Sequence, residues 1–376
     1  MISVLFFISF TVLRSKEEKK EEWKIIWEEV FFKIMEEKIL SDQCILLELL
    51  QKSQRGFFYT SIEEVSESIF PFSTNMGILI PEKQKLKGME EENKYLTKEN
   101  EEEGEEIFLT DQGNFIPVKE KQEEIQWEEI TTLEDLIKRF YTVDSTTEAT
   151  EELFRIPELR EMDLRIEKGG EEPQILIYHT HSQEAFSDSE EGKKEDTIVG
   201  VGELLTSILE DYGYRVLHHT GEYDVKSRDY AYSESLPAIT RILQENPGIQ
   251  VVIDLHRDAV EEGTKLITTI QDRKMAKVMF FNGLSRSKDQ GEISYLENPY
   301  LKENLAFSLQ MKAACDEYYP GFARNIYLRA YRYNMHLAPK TLLVELGAQT
   351  NTVEEIKNSL YPLAHVLDIV LFGKEK

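Results

Sequence analysis

After Gly169-Gly170 the chain alternates short, continuously apolar runs with amphipathic helical ones, and this alternation restricts the fold more than any other feature. Residues 175–178 (ILIY) read as a strand buried on both faces, the kind found in parallel sheets covered by helices. A helix over residues 197–211 sets Ile198, Val201, Leu204, Leu205, Ile208 and Leu209 on one face, stops at Gly213 and leads into a strand at 214–217. A second helix, around 236–244, ends at Asn246-Pro247-Gly248 before the strand 250–254 (QVVID). Residues 265–270 and 277–281 read as further strands, 303–319 as a helix closed by Pro320-Gly321, and 341–345 (TLLVE) as a strand. A last helix begins near Asn351-Thr352, where Thr352 and Glu355 fit a capping box, and Pro362 is expected to kink or divide it. Repeated βαβ units imply a three-layer α/β domain with a mostly parallel, twisted sheet, whose ligands bind at the carboxyl ends of the strands.

The rest of the chain divides by texture, into a helical and low-complexity region ahead of this domain. Residues 1–14 carry an apolar run, ISVLFFISFTVL, shorter than the roughly 20 residues of a spanning helix, with its first basic residue after it rather than before. The expectation is the remnant of a membrane anchor or signal that lost its beginning to a late start site; the alternative is a buried helix or strand. Residues 15–80 read as an amphipathic helical stalk, with Trp23, Ile26, Trp27, Val30, Phe31 and Ile34 at helical steps. Residues 81–129 are Glu-rich and too poor in apolar side chains to offset their ordering entropy, which predicts a solvated linker. Residues 130–170 regain pattern (TTLEDLIKRFYTVD) as a pre-domain segment, and 171–376 form the α/β domain.

Composition removes several function classes. With 71 Asp+Glu against 44 Lys+Arg, a net charge of −27, the chain is unsuited to gripping nucleic-acid phosphates or anionic head groups. Its 2 cysteines, Cys44 and Cys315, are too few for a Cys-rich zinc site or a disulfide scaffold. All 7 histidines lie at or after His179, so imidazole chemistry belongs to the second half.

Three strand ends there carry chemistry. The first strand runs into His179-Thr180-His181-Ser182-Gln183-Glu184, the QVVID strand into Leu255-His256-Arg257-Asp258, and TLLVE ends in Glu345 before Leu346-Gly347. Charge at the exit of a buried strand costs free energy unless it is compensated. Two imidazoles and a carboxylate at one sheet edge suit a catalytic zinc ion, which takes three protein ligands and leaves a position for water. A further carboxylate near that water would act as general base. Arg257 suits an oxyanion or a substrate carboxylate, or equally an ion pair with Asp254 or Asp258. Asn334 and His336 are candidates to line the groove, His218, His219 and His365 read as structural or surface residues, and Gly347 and Asn351 as turn and helix-cap positions.

The strings ILIYHTHSQEAF (175–186), IVGVGELL (198–205), VVIDLHRD (251–258), NPYLKENLAFSLQ (298–310), YPGFAR (319–324), YRYNMHL (331–337) and LLVELGAQTNTVEE (342–355) occur in this order. Together they closely resemble the stage II sporulation protein P family of endospore-forming bacteria, over residues from about 130 to 376. The resemblance implies a zinc amidase-like fold and a peptidoglycan hydrolase that cuts the amide between N-acetylmuramic acid and L-alanine; an endopeptidase activity on the stem peptide is also attributed to the family. In general zinc amidases a His follows the first strand in Asp-Pro-Gly-His. Laid over residues 177–181, that His falls on His181, which leaves His179 to orient a ligand or meet substrate. His256 matches the second His ligand and Glu345 the catalytic Glu. The carboxylate ligand stays open between Glu184, from the family's HTHxxE motif, and Glu195 or Asp196, at the position general amidases use; Glu184 is favoured. The resemblance further implies a cell-membrane anchor with the catalytic domain outside the cytoplasm, facing the wall of the sporulation septum. It also implies action during engulfment with stage II sporulation proteins D and M. The rival expectation is a non-catalytic module that binds peptidoglycan or a partner, with a metal that is structural or absent. Another zinc hydrolase, such as a carboxypeptidase, is a third.

Overall fold

The computed structural model describes residues 115–373, so the expected anchor and stalk, and the Glu-rich stretch before Phe115, lie outside the described residues. Within them the apolar runs become β1 (Tyr141–Val143), β2 (Ile175–Tyr178), β3 (Val216–His218), β4 (Val251–Asp258), β5 (Ile267–Ile270), β6 (Arg273–Ala276), β7 (Val278–Gly283), β8 (Arg286–Ser287), β9 (Gly291–Glu292), β10 (Ile326–Arg329) and β11 (Thr341–Ala348). The helices are α1 (Leu133–Phe140), α2 (Ile156–Glu161), α3 (Ile198–Asp211), α4 (Ala231–Glu245), α5 (Leu301–Tyr318) and α6 (Val353–Phe372). Seven strands form one sheet in the order β1-β10-β7-β11-β4-β2-β3, while β5–β6 and β8–β9 are separate hairpins. Every neighbouring pair in the large sheet is parallel except β7 with β11, so the mostly parallel α/β sheet expected from the alternation is present.

Side chains alternate across a strand, and the alternation assigns each residue to one of two layers. Ile175, Ile177, Val251, Ile253, Leu255, Leu342, Val344 and Leu346 face α3, α5 and α6 in the main core. Leu176, Tyr178 and Val252 face Ile239 of α4, and Phe281 and Leu343 face Tyr333 and Met335 of the segment before β11. Asp254 and His256 follow Val252 at two-residue steps, and Glu345 follows Leu343, so all three belong to this second face.

Several elements differ in extent from the sequence expectation. Strands β4 and β11 run on past their apolar stretches to Asp258 and Ala348, because their polar ends find partners; Asp258, for example, takes Arg324 Nη1 at 2.8 Å. The 130–170 segment is part of the domain: Thr132 and Asp135 cap α1 reciprocally, and β1 closes the sheet beside β10. Even the end of the Glu-rich stretch packs down, with Phe115 against Tyr319 and Tyr361, Ile125 buried and Trp127 stacked on Phe140. Its few apolar side chains suffice to fasten it. The capping box of Thr352 and Glu355 starts α6 as expected, but Pro362 lies inside one continuous helix instead of dividing it. The missing backbone donor is outweighed by the burial of Leu360, Leu363, Ala364, Val366 and Leu367 around it. Among the described residues no helix is long and apolar enough to cross a membrane.

Candidate functional site

His256 stands at the middle of the second face, near the carboxyl end of β4. Its Nε2 comes within 2.7 Å of Asp254 Oδ1, a charge contact lacking hydrogen-bond alignment, and its Nδ1 lies 3.6 Å from Glu184 Oε2. Asp254 is itself held: Thr180 donates its backbone N–H to Oδ1 at 2.9 Å and its hydroxyl to Oδ2 at 2.7 Å. Burial alone would depress the His256 imidazole, but the carboxylates of Asp254 and Glu184 reverse this and raise it to about 10. Glu184 is 1% exposed. Burial would raise it, yet His256, with Arg257 and Arg228 beside it, holds it well below the usual carboxylate range. Its Oε2 accepts the Arg257 backbone N–H at 2.8 Å and its Oε1 accepts Arg228 Nη2 at 2.7 Å.

His181 reaches the same place from the loop after β2. Its ring meets that of His256 edge-on at 5.2 Å and that of Tyr232 at 5.7 Å, and its Nδ1 is 3.9 Å from Asp224 Oδ2. Glu345 is the cross-strand partner of His256 in the parallel β11–β4 register and is 3% exposed. Directly after it the pairing is irregular up to Ala348, where Gly347 adopts φ +58; a Cβ there would lie 2.5 Å from Ile356 Cδ1. Only glycine lets β11 make this bend under α6. His181, His256, Glu184 and Glu345 are thus brought to one end of one face.

The other candidates go elsewhere. His179 falls on the opposite face, where Nδ1 bonds the Leu255 carbonyl at 2.8 Å and Nε2 bonds His218 Nε2 at 2.9 Å. The side chain of Arg257 turns to the carbonyls of Ala185 and Asp258 rather than to the carboxylates of Asp254 or Asp258. Asn334, at φ +57, donates to the Tyr232 carbonyl and Ser235 Oγ, and so ties the segment before β11 to α4. His336 is a largely buried imidazole depressed to about 3, first by burial and then by Arg332. Glu195 and Asp196 sit in the short turn Lys194–Asp196, with Asp196 directed to Lys357 at 3.8 Å. His219 bonds Tyr223 and His365 bonds Tyr319, both away from His256.

Sequence reasoning missed Arg228 and Asp224, and treated Asp254 only as a partner for Arg257. Asp254 had a signal, since it precedes His256 by two residues in one strand and must share its face. Arg228 and Asp224 sit in a loop with no periodicity, and nothing local marks them.

Among the described residues no group of three or more His, Cys, Asp or Glu side chains is drawn together ready to hold an ion. The donors nevertheless suit zinc in kind, being imidazole nitrogen and carboxylate oxygen. The 3.6 Å between Glu184 Oε2 and His256 Nδ1 is close to the roughly 3.4 Å between two tetrahedral zinc ligands with bonds of about 2.0–2.2 Å. Asp254 lies behind His256, with Oδ1 2.7 Å from Nε2 on the side away from Glu184. In donor type and spacing Glu184 and His256 suit a zinc ion, and the His181 ring lies 5.2 Å from that of His256.

The chain is similar to stage II sporulation protein P of Bacillus subtilis (strain 168), with 25% identity over 228 residues, 55% of this chain and 53% of that one. It thus spans about half the length of that relative. Among solved structures it is similar to the catalytic domain of the CD27L endolysin targeting Clostridia Difficile, at 14% identity and a TM-score of 0.33, covering 53% of this chain and 96% of that one. It is also similar to the N-acetylmuramoyl-L-alanine amidase AmiC2 of Nostoc punctiforme, at 12% identity and a TM-score of 0.31, covering 53% and 98%. Likeness at such TM-scores carries no argument about chemistry. The model of the Stage II sporulation protein P (SpoIIP) family matches residues 48–368, most of the sequence, and the chain belongs to that family.

Proposed function

We propose that this chain hydrolyses peptidoglycan during sporulation, cutting the amide between N-acetylmuramic acid and L-alanine of the stem peptide. In this reading His181, His256 and Glu184 hold zinc, and Glu345 is the general base. Family membership supports the substrate class. The observation that carries the chemistry is Glu345 registered against His256 on the face where Glu184 Oε2 approaches His256 Nδ1 at 3.6 Å. A bound zinc ion would supply Lewis acidity and an easily ionised water. The geometry supports a part for the protein's own residues in this reading. Asp254 holds the far side of His256, Arg228 and the Arg257 N–H hold Glu184, and the buried Glu345 carboxylate takes a proton from the attacking water. Water adds to the amide carbonyl, the C–N bond breaks, and Glu345 returns the proton to the leaving nitrogen. The products are a muramic-acid carboxylate and a stem peptide with a free L-alanine amine. The reading brings with it the membrane anchor, the outward-facing domain, action with the D and M proteins in engulfment, and an endopeptidase side activity, all as proposals.

The test is digestion of purified peptidoglycan by the full chain, with added zinc or with a chelator, and identification of products by mass. Zinc-dependent release of intact stem peptides starting at L-alanine is expected. Glu345→Gln should lose about 10²–10⁴-fold in rate with an unchanged fold. A fully active Glu345→Gln removes the role given to Glu345, and release of C-terminal residues assigns a carboxypeptidase instead. One observation favours a binding module: both oxygens of Glu184 already have protein partners, Arg228 and the Arg257 N–H. No cleavage in either condition, with the D protein also present, would select that module.

A further inference from the structure

Residues 219–230 leave the edge strand β3 and cross the site before α4 begins at Ala231. Along the way they fasten the loop after β2 at two points. Asp224 accepts the Ser182 hydroxyl at 2.8 Å and the Gln183 N–H at 3.2 Å, and Arg228 donates to Glu184 Oε1 at 2.7 Å. The two partners of the last bond are unequal, for the Glu184 side chain is 1% exposed and that of Arg228 is 32% exposed. A carboxylate on a rotatable bond keeps its plane only when both oxygens are held. Here the Arg257 N–H holds Oε2 and Arg228 holds Oε1, which leaves Oε2 facing His256 Nδ1.

We propose that Arg228 is a positioning residue for the site: on a strap fastened by Asp224, it fixes the Glu184 carboxylate so that Oε2, not Oε1, is presented beside His256. The inference rests on the zinc reading given above and adds to it the residue that sets the ligand's orientation. The contact to Oε1 is what separates positioning from blocking, because a blocking cation would sit on the oxygen that faces His256. Outer partners of metal ligands change metal affinity by roughly 10–100-fold when removed.

The experiment uses the full chain, as wild type, Arg228→Ala and Arg228→Lys, with zinc affinity measured by chelator competition and amide hydrogen exchange followed across residues 182–184. Arg228→Ala should bind zinc about 10–100-fold more weakly and exchange faster at 182–184, and Arg228→Lys, which keeps one donor, should recover part of both. Zinc binding by Arg228→Ala as tight as wild type, with unchanged exchange, overturns the proposal, and tighter binding overturns it by making Arg228 a competitor of the metal. If Arg228→Ala does not fold, the wild-type comparison with Arg228→Lys decides on the same two readouts. A wild-type protein that binds no zinc, or binds it independently of His256, sinks the zinc reading alone. In that case exchange at 182–184 judges the strap, faster in the variants if it holds and unchanged if it does not.

Discussion

His179 Nδ1 donates to the Leu255 carbonyl, so its Nε2 must accept, and the proton between the two imidazoles belongs to His218. The pair is therefore held neutral. Burial pulls His179 down to about 3 and, with Lys194 and His219 nearby, His218 down to about 4, from an ordinary 6.5. Below pH 6.5 the unfolded chain binds protons that the folded chain refuses. The stability these groups contribute is therefore complete above about pH 6.5, and His218 loses its share as the pH falls toward its folded value of about 4. His218→Gln places an amide N–H near the same reach and removes the titration. Its stability at pH 7 is expected to match wild type closely, while its urea midpoint falls less between pH 7 and pH 4.5. An equal fall in both proteins would show that His218 is not held neutral. At this scale strand alternation sends His179 under α3, whereas His181 lies in the loop that meets His256.

Helix α3 packs so closely on β2 and β3 that a Cβ at Gly202 would lie 2.6 Å from His179 Nε2 and 2.7 Å from His218 Nε2. Helix propensity favours alanine over glycine by about 1 kcal/mol. Overpacking the buried His179 and half-buried His218 imidazoles costs about 1–3 kcal/mol and also strains their shared hydrogen bond, so packing wins. Gly202→Ala should lower the melting temperature, and a rise would mean that α3 can shift outward freely. Elements like α3, β2, β4 and β11 were legible because strands buried on both faces give unbroken apolar runs and because helices carry their own stop and start residues. The capping box of Thr352 and Glu355 was read directly. In β10 (IYLR) Arg329 ends the apolar run and β1 (YTV) has only three residues, so neither stood out, and pairing with their neighbours makes them strands. In the site, His256 and Glu345 were visible as charges at the ends of buried strands. The partner of Glu184 was not, because Arg228 is 44 residues away along the chain and only the crossing of the strap brings it there.

At the scale of the whole molecule, the change of texture at Gly169-Gly170 is not a domain boundary. Leu136, Phe140, Tyr141, Phe154, Leu159, Leu164 and Ile166 all precede it, and all are buried to 5% exposure or less. Burying each such side chain contributes about 1.5–3 kcal/mol, so together they supply on the order of 10–20 kcal/mol. A native protein of ordinary stability has only about 5–15 kcal/mol in total. Removing them also bares the edge of β10, which pairs with β1 along Ile326, Tyr327 and Leu328. A chain starting at residue 171 should therefore fail to unfold cooperatively and should aggregate, whereas one starting at residue 115 keeps Phe115 on Tyr319 and Tyr361 and should melt in a single transition. Differential scanning calorimetry of the two fragments distinguishes these outcomes. A cooperative transition from residues 171–376 at the midpoint of the longer fragment would mean that β4, β11 and the site between them stand without the first strand. The expected result makes residues 115–166 a part of the site's foundation, since β1 supports β10, β10 supports β7, and β7 flanks the strand that carries Glu345.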